Sequence, residues 1–529
     1  MRTMKSYLKY TAIVLLIVTC GCEDFLDNPP LGGQTIETFF TNESEAEKGL
    51  MAAYYWLSGD DWYYKDISYT FGDVMSDNSF VGWWDLPDWT RIGNFEITPL
   101  NNHISDNWIY TYKGIFNANL VIERVPLSPE IDDEAFINKV VAEAKALRAY
   151  QYYGLARMYG GVILLDHPSS EADGKLERST LEETWDFIEQ DLTDAIPHLP
   201  KKSEQATAEQ GRITEGMARA LLTKVYVYRE KWEEALEMAE TVITPGEYAL
   251  VSLEEVWDNS IRNCDESIFE LQTSDDIAYW LGSTFALMTL SRNSSNEIES
   301  GWGFNTPTSH LDNAFIGKDG VTEDPRRPFT IIRHGEGRDA DGNLDPAAPP
   351  YNVFEDGNPD PEQNPSARIS RKMFSSNEVR NGWSSDVGNF KYLRYADLLL
   401  LAAEAAYHEG EEDKARLYAN MVRMRAWDNK DSERIISSGT ALLDELYLER
   451  RLEMAMEGER FYDLKRTGKL TEAMSAFVDY NMNLNTDFDT QQDKGSLFEP
   501  EKHTLFPIPQ GQIDLSEGEG VVLEQNPNY

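Results

Sequence analysis

The chain has 529 residues, 41% of them apolar, enough to bury one large or two moderate cores. Its 92 acidic residues outnumber 48 basic ones and leave a net charge of −44. A surface that negative repels phosphate backbones and anionic lipid headgroups, which excludes a nucleic-acid partner and a basic-patch attachment to membranes.

The first element is an export signal. Residues 1–9 carry Arg2, Lys5 and Lys9 and no acid, and residues 11–19 (TAIVLLIVT) are apolar and uncharged. That stretch falls short of the ~20 apolar residues of a membrane span and reads as a cleaved secretory signal. Cys20, Gly21 and Cys22 follow, then Glu23, Asp24 and Asp27. A cysteine at the cleavage site resembles a bacterial lipobox, in which residues 1–21 are removed and the lipidated Cys22 becomes the first residue. Gly21 favours Cys22 over Cys20, which follows Thr19. An ordinary signal with a chance cysteine is the weaker alternative, because residues 22–40 form an acidic tether. With Cys20 removed and Cys22 acylated, only Cys264 stays free. No intramolecular disulfide is then expected, and Cys264 reads as an apolar filler.

Helical periodicity predicts helices over 43–57, capped by Thr41 or Asn42, and over 105–125, 135–159 and 185–199, the last stopped by Pro197 and Pro200. A helical hairpin follows at 213–229 and 232–243, and a similar one at 395–409 and 411–425. The two align without gaps, LLTKVYVYREKWEEAL (221–236) over LAAEAAYHEGEEDKAR (401–416), with Ala235 and Ala239 matching Ala415 and Ala419. Small residues every four positions let antiparallel helices approach closely, the logic of the ~34-residue tetratricopeptide repeat. Generic helix pairing is the alternative. Residues 58–100 and 244–390 are rich in Gly, Asn, Asp, Ser, Pro and Trp and are expected to hold no long amphipathic helix. The expected fold is therefore all-α dominated. A scaffold over about 41–57, 105–243 and 391–470 presents a loop-rich face from 58–104 and 244–390.

Motifs for catalysis are missing: no HExxH, no GxSxG and no phosphate-binding glycine loop. DADGNLD (339–345) has Leu344 where a calcium loop needs glycine and reads as a solvated turn. No metal or cofactor is expected. Tryptophan stands out. Six of the 13 fall between Trp56 and Trp108, three of them in FVGWWDLPDW as Trp83, Trp84 and Trp89. Adjacent Trp83 and Trp84 cannot both face a core from extended backbone, since successive side chains point to opposite sides. Tyr279, Trp280 and Trp302 stand in similar loops. A flat ring with a polar rim fits the C–H face of a pyranose, with nearby Asp and Asn binding hydroxyls. Loop anchoring is the alternative reading of these rings, and core packing the expected one for Trp56, Trp108 and Trp232.

Several blocks resemble the SusD/RagB outer-membrane lipoproteins of Bacteroidota. They are CEDFLD (22–27), YKGIFNANLVIERV (112–125), AEAKALRAYQYYGLARMYGGVILL (142–165), TEDPRR (322–327), YLRYADLLLLAAEA (392–405), LYLERRLEMAMEGERFYDLKRTGKL (446–470), LFPIPQ (505–510) and QNPNY (525–529). SEGEGVV (516–522) departs from the asparagine-containing turn usual there. The resemblance implies a SusD-like domain over 41–529 with four tetratricopeptide-like units and no catalysis. It also implies lipid anchoring at the outer face of the outer membrane, and delivery of captured oligosaccharide to a SusC-like TonB-dependent transporter. Family ligand positions correspond here to Trp83, Trp84, Trp89, Tyr279, Trp280 and Trp302, with Asp77 and Asn78 as hydroxyl contacts. Tryptophans in line favour an extended β-linked glucan or hemicellulose. RagB-like branches, which take peptides, are the alternative, and a surface glycoside hydrolase is the third. The charged block of Glu449, Arg450, Arg451, Glu457, Arg460 and Asp463 is expected to be a structural ion-pair network.

Overall fold

The computed structural model describes residues 39–57, 64–82, 87–170, 176–273, 288–289, 302–317, 319–339, 343–348, 350, 367–372, 388–484 and 494–529. Helices α1 (Glu43–Tyr55), α2 (Tyr64–Val74), α3 (Pro87–Gly93), α4 (Asn102–Arg124), α5 (Glu134–Tyr159), α6 (Leu181–Ala195), α7 (Glu215–Tyr228) and α8 (Trp232–Ile243) precede the large loop region. The short α9 (Ser309–Ala314) lies within it. Helices α10 (Tyr395–His408), α11 (Glu412–Ala426), α12 (Thr440–Glu453), α13 (Arg460–Arg466) and α14 (Leu470–Leu484) follow. Starts are set by caps: the Asn42 side chain accepts from Glu45 N, and Thr180 and Glu183 form a capping box that begins α6 at Leu181.

The hairpin alignment holds in three dimensions. Glu230 (φ 54°) and Gly410 (φ 78°), equivalent in the alignment, both turn left-handed. Each turn closes the same way, Lys231 N donating to Tyr226 O at 2.9 Å and Glu411 N to Ala406 O at 2.8 Å. Ala235, Ala239, Ala415 and Ala419 are fully buried, and α8 packs against α10, so one hairpin stacks on the next. Contacts run on through α1–α4, α4–α5, α5–α6, α6–α7 and α7–α8, a tetratricopeptide-like scaffold.

Two helices, of 11 and seven residues, lie within the loop-rich stretch 58–100. Helix α2 reads as irregular because it holds Gly72 and several β-branched residues. The glycine is needed, because a Cβ there would sit 1.8 Å from Gly458 O, so α2 packs backbone to backbone on the turn before α13. Helix α3 opens with Pro87, whose fixed φ suits a first helical position. The loop region also holds antiparallel two-stranded pairs: β1 (Ser79–Phe80) with β3 (Thr306–Pro307), β2 (Ser267–Leu271) with β6 (Phe390–Arg394), and β4 (Ile331–Arg333) with β5 (Arg368–Ser370). All five residues of β2 are buried, so it lacks the alternation that marks a strand in sequence.

Strand β6 runs directly into α10 and brings a buried ion-pair network with it. Arg394 has no exposed side-chain surface and pairs with Glu266 at 2.6 Å, Glu453 at 3.1 Å and Glu457 at 2.7 Å. Arg425 joins Glu266 and Glu453, and Arg326 bridges Asp324 at 2.7 Å and Glu449 at 2.6 Å. A second limb links Lys224 and Arg450 through Asp397, and Arg450 and Arg466 through Asp463. Burial alone would raise the Glu453 carboxyl, but Arg425 and Arg394 hold it well below its ordinary range. The charged block thus joins α10, α11 and α12 to the loops, the structural role expected of it.

Removing one partner of a buried pair strands the other charge, at a cost of about 3–5 kcal/mol. Arg394→Met is therefore expected to lose stability of that order in denaturant melts. Arg434→Met, which breaks only an exposed pair with Asp431, should stay within about 0.5 kcal/mol of the parent.

Candidate functional site

The β1–β3 pair joins the two segments that the sequence assigns to a ligand face. Ser79 pairs with Pro307 and Phe80 with Thr306, and Gly82 N donates to Gly303 O at 2.8 Å. Gly82 permits this approach, because a Cβ would lie 2.5 Å from Thr306 Oγ1 and 2.9 Å from Gly303 O. Gly303 itself turns left-handed at φ 67°. Thr308 locks the far end: its N–H donates to Asn78 O, its hydroxyl to Asp77 O, and its Oγ1 accepts from Leu311 N as the cap of α9.

A polar hub lies under this seam. Asn305 bonds Ser79 Oγ and donates from Nδ2 to Asp73 Oδ2 at 3.2 Å. Asp73 Oδ2 also accepts from Gly458 N at 3.0 Å, tying the seam to the turn before α13. Lys494 donates to the carbonyls of Ser76 and Ser79. Burial pushes the Asp73 carboxyl up to about 7 and the Lys494 ammonium down to about 7. Asp77 goes the other way, because Arg451 and Arg460 outweigh its burial and hold it far below the carboxylate range.

Trp302 is half-buried at the seam, its ring centroid 5.4 Å from Phe304. Phe304 stands 6.5 Å from Trp89, and Trp89 5.2 Å from Phe71, so a ladder of rings supports Trp302 from the core. Three expectations need correction. Trp89 is on helix α3, has no accessible surface and donates from Nε1 to Phe304 O at 3.1 Å, so it anchors the seam and offers no sugar platform. Asp77 is 1% exposed and held by Arg451 at 3.0 Å and Arg460 at 2.8 Å. Asn78 is fully buried and accepts from Arg451 Nε at 2.9 Å. Neither reaches a ligand hydroxyl, and both fix the loop. Trp83, Trp84, Tyr279, Trp280 and Cys22 lie outside the described residues.

Sequence reasoning missed Asp73 and Lys494 as the hub of the seam. Nothing local marks them, since their partners lie 232 and 415 or more residues away along the chain. A separate polar cleft of about 430 Å³ lies between residues 202–214 and β2. Its one ring, Phe269, is buried, so it lacks a stacking surface. No group of three residues placed to hold a metal ion occurs among the described residues.

A stack of helical hairpins is locked by buried ion pairs to a loop-built aromatic seam, the architecture of a helical-repeat scaffold carrying a loop face. The chain belongs to the SusD/RagB family. The profile described as the SusD family matches residues 265–529, and one described as starch-binding associating with outer membrane matches residues 24–227. SusD-like protein P2 of Formosa agariphila is 25% identical over 547 aligned positions, covering 99% of this chain and 100% of that protein. A SusD-like protein of Bacteroides ovatus is 26% identical over 487 positions, covering 87% of this chain and 82% of that one. Among solved structures, a laminarin-binding SusD-like protein is 28% identical with a TM-score of 0.73, covering 92% of this chain and 100% of that one. A SusD homologue of Bacteroides thetaiotaomicron shares the fold, with a TM-score of 0.79 at 23% identity, covering 93% of this chain and 98% of that one.

The raised Asp73 carboxyl gives a signed pH dependence. Between pH ~4 and ~7 the unfolded chain releases this proton while the folded chain keeps it, so folding stability falls as pH rises, by at most about 1.4 kcal/mol per pH unit. Asp73→Asn keeps an acceptor for Gly458 and Asn305 and removes the titration. Melting curves across that window should show the decline in the parent and a flatter profile in the variant.

Proposed function

We propose that this protein is a cell-surface glycan-binding lipoprotein that captures an oligo- or polysaccharide and passes it to a SusC-like TonB-dependent transporter. The observation that carries this is the β1–β3 seam. It joins the start of the Trp83–Trp84 segment at Gly82 to Gly303 beside Trp302, with the core ladder of rings behind. Rings held on a rigid backing meet a sugar face with little entropy to lose. The laminarin-binding relative, covered along its whole length, supports the same class of ligand. A β-linked glucan or hemicellulose is the favoured class, because several tryptophans spread along the loop segments of the sequence suit an extended chain and laminarin is itself a β-linked glucan. Residues 1–21 are the cleaved signal, Cys22 carries the lipid, and residues 22–40 are the tether that holds the body at the outer membrane. The reading gives the protein no catalytic step.

Affinity electrophoresis through gels containing single polysaccharides tests this. At least one should retard the native protein. Trp302→Ala should weaken binding by ~30-fold, about 2 kcal/mol, as expected for a central aromatic anchor. Trp83→Ala, Trp84→Ala and Trp280→Ala should weaken it in the same direction. Retardation by no polysaccharide, with capture of peptides instead, would overturn the glycan reading in favour of the RagB-like one.

A further inference from the structure

We propose that the face around the β1–β3 seam selects uncharged glycans and rejects acidic ones, such as uronate-rich or sulfated polysaccharides, by electrostatics. This rests on the glycan-binding reading above and adds the charge class of the ligand. Two observations carry it, and the first is the balance of charge. Residues 58–104 hold eight acids and two bases, and residues 244–390 hold 25 acids and 11 bases.

The second is that most cations of the described loop region are already spent: of the eight described bases in residues 244–390, six pair with carboxylates, while Arg262 donates to Thr273 O and Arg371 to Trp257 O and Asn343 Oδ1. A carboxylate or sulfate ester on a sugar is recognised by a guanidinium fork or an ammonium free to point at it. Here Arg326 is held by Asp324 and Glu449, and Arg327 by Glu323 at 2.8 Å and Glu336 at 2.5 Å. Arg333 is held by Asp312 at 2.6 Å and Glu323 at 2.8 Å. Arg368 shares Asp312 at 2.7 Å, Arg338 pairs with Glu336 at 2.6 Å, and Lys372 with Glu457 at 2.5 Å. Their role is to order the loops. Outside the described residues, 244–390 adds three bases, Arg292, Lys318 and Arg380, against 11 acids. An anionic sugar arriving here would meet unbalanced carboxylates and would have to break an existing pair to gain a counter-ion. A neutral pyranose needs only rings, hydroxyl partners and water, and is indifferent to that field.

The test uses the lipid-free mature protein and one soluble neutral glucan that it binds. The same glucan is oxidised at C6 to its polyuronate, which changes charge and leaves the linkages intact. Calorimetric affinities are compared at about 0.01 M salt, where the Debye length is ~30 Å, and at about 1 M, where it is ~3 Å. The neutral polymer should bind equally at both. The oxidised polymer should bind at least ~10-fold more weakly at low salt, and the gap should narrow at high salt as repulsion is screened. Three results would overturn the proposal: equal or tighter binding of the polyuronate at low salt, a gap that salt leaves unchanged, or retention only by alginate, pectate or carrageenan. In each of these the glycan-binding reading survives. If no polysaccharide of either class binds, that reading itself fails and the charge class falls with it.

Discussion

Arg394 sits without solvent contact among Glu266, Glu453 and Glu457, where strand β6 becomes helix α10. The geometry of the rest follows from this arrangement. Glu266 immediately precedes β2, and Glu453 and Glu457 come from the end of α12 and the turn after it, so one guanidinium fixes the strand's entry, helix and turn together. Buried ion pairs seldom add net stability over apolar packing of the same volume, but a wrong partner leaves a stranded charge. In this chain they act as a lock on orientation. They decide how the described loop segments sit on a stack of helical hairpins. A small second core of Leu311, Phe315, Ile331, Leu452, Ala455 and Met456 adds apolar contact along the same boundary.

The lock reaches the candidate site through two neighbouring residues. Arg450 faces inward to Asp397 and Asp463, while Arg451 faces the loops and holds Asp77 and Asn78. Those two residues lead into β1, and β1 pairs with β3. The Gly458 turn, part of the same charged block, donates to Asp73 and meets α2 backbone to backbone through Gly72. A chain of bonded contacts therefore runs from the scaffold to the strand pair next to Trp302. These contacts tie the loop-built face to the scaffold, the rigidity that the proposed ring stacking on a sugar would require.

Much of the scaffold was legible in the sequence, because long amphipathic helices with caps and alanine stripes are local signals. The hairpin at 213–243 and its echo at 395–425 could be aligned by eye, and the closing hydrogen bonds of their turns, Lys231 N to Tyr226 O and Glu411 N to Ala406 O, fall at equivalent positions. The charged block could be read as structural through the family resemblance of LYLERRLEMAMEGERFYDLKRTGKL (446–470), which implies a non-catalytic scaffold. The loop region was less legible. Strand pairs of two to five residues carry no periodicity, and α2 hides behind a glycine required by a contact far along the chain. Trp89, Asp77 and Asn78 show the limit most clearly. In sequence nothing separates them from a platform tryptophan or a hydroxyl-binding acid. Their burial is decided by Phe304, Arg451 and Arg460, residues more than two hundred positions away.

The proposed ligand face is the scaffold-locked seam beside Trp302, and neither the helical hairpins nor the cleft between residues 202–214 and β2. Amide hydrogen exchange with and without a saturating bound oligosaccharide tests it most directly. The account predicts added protection in peptides spanning residues 76–89 and 302–308, with the hairpins at 215–243 and 395–426 unchanged. Protection confined to those hairpins, or to the cleft between residues 202–214 and β2, would contradict it.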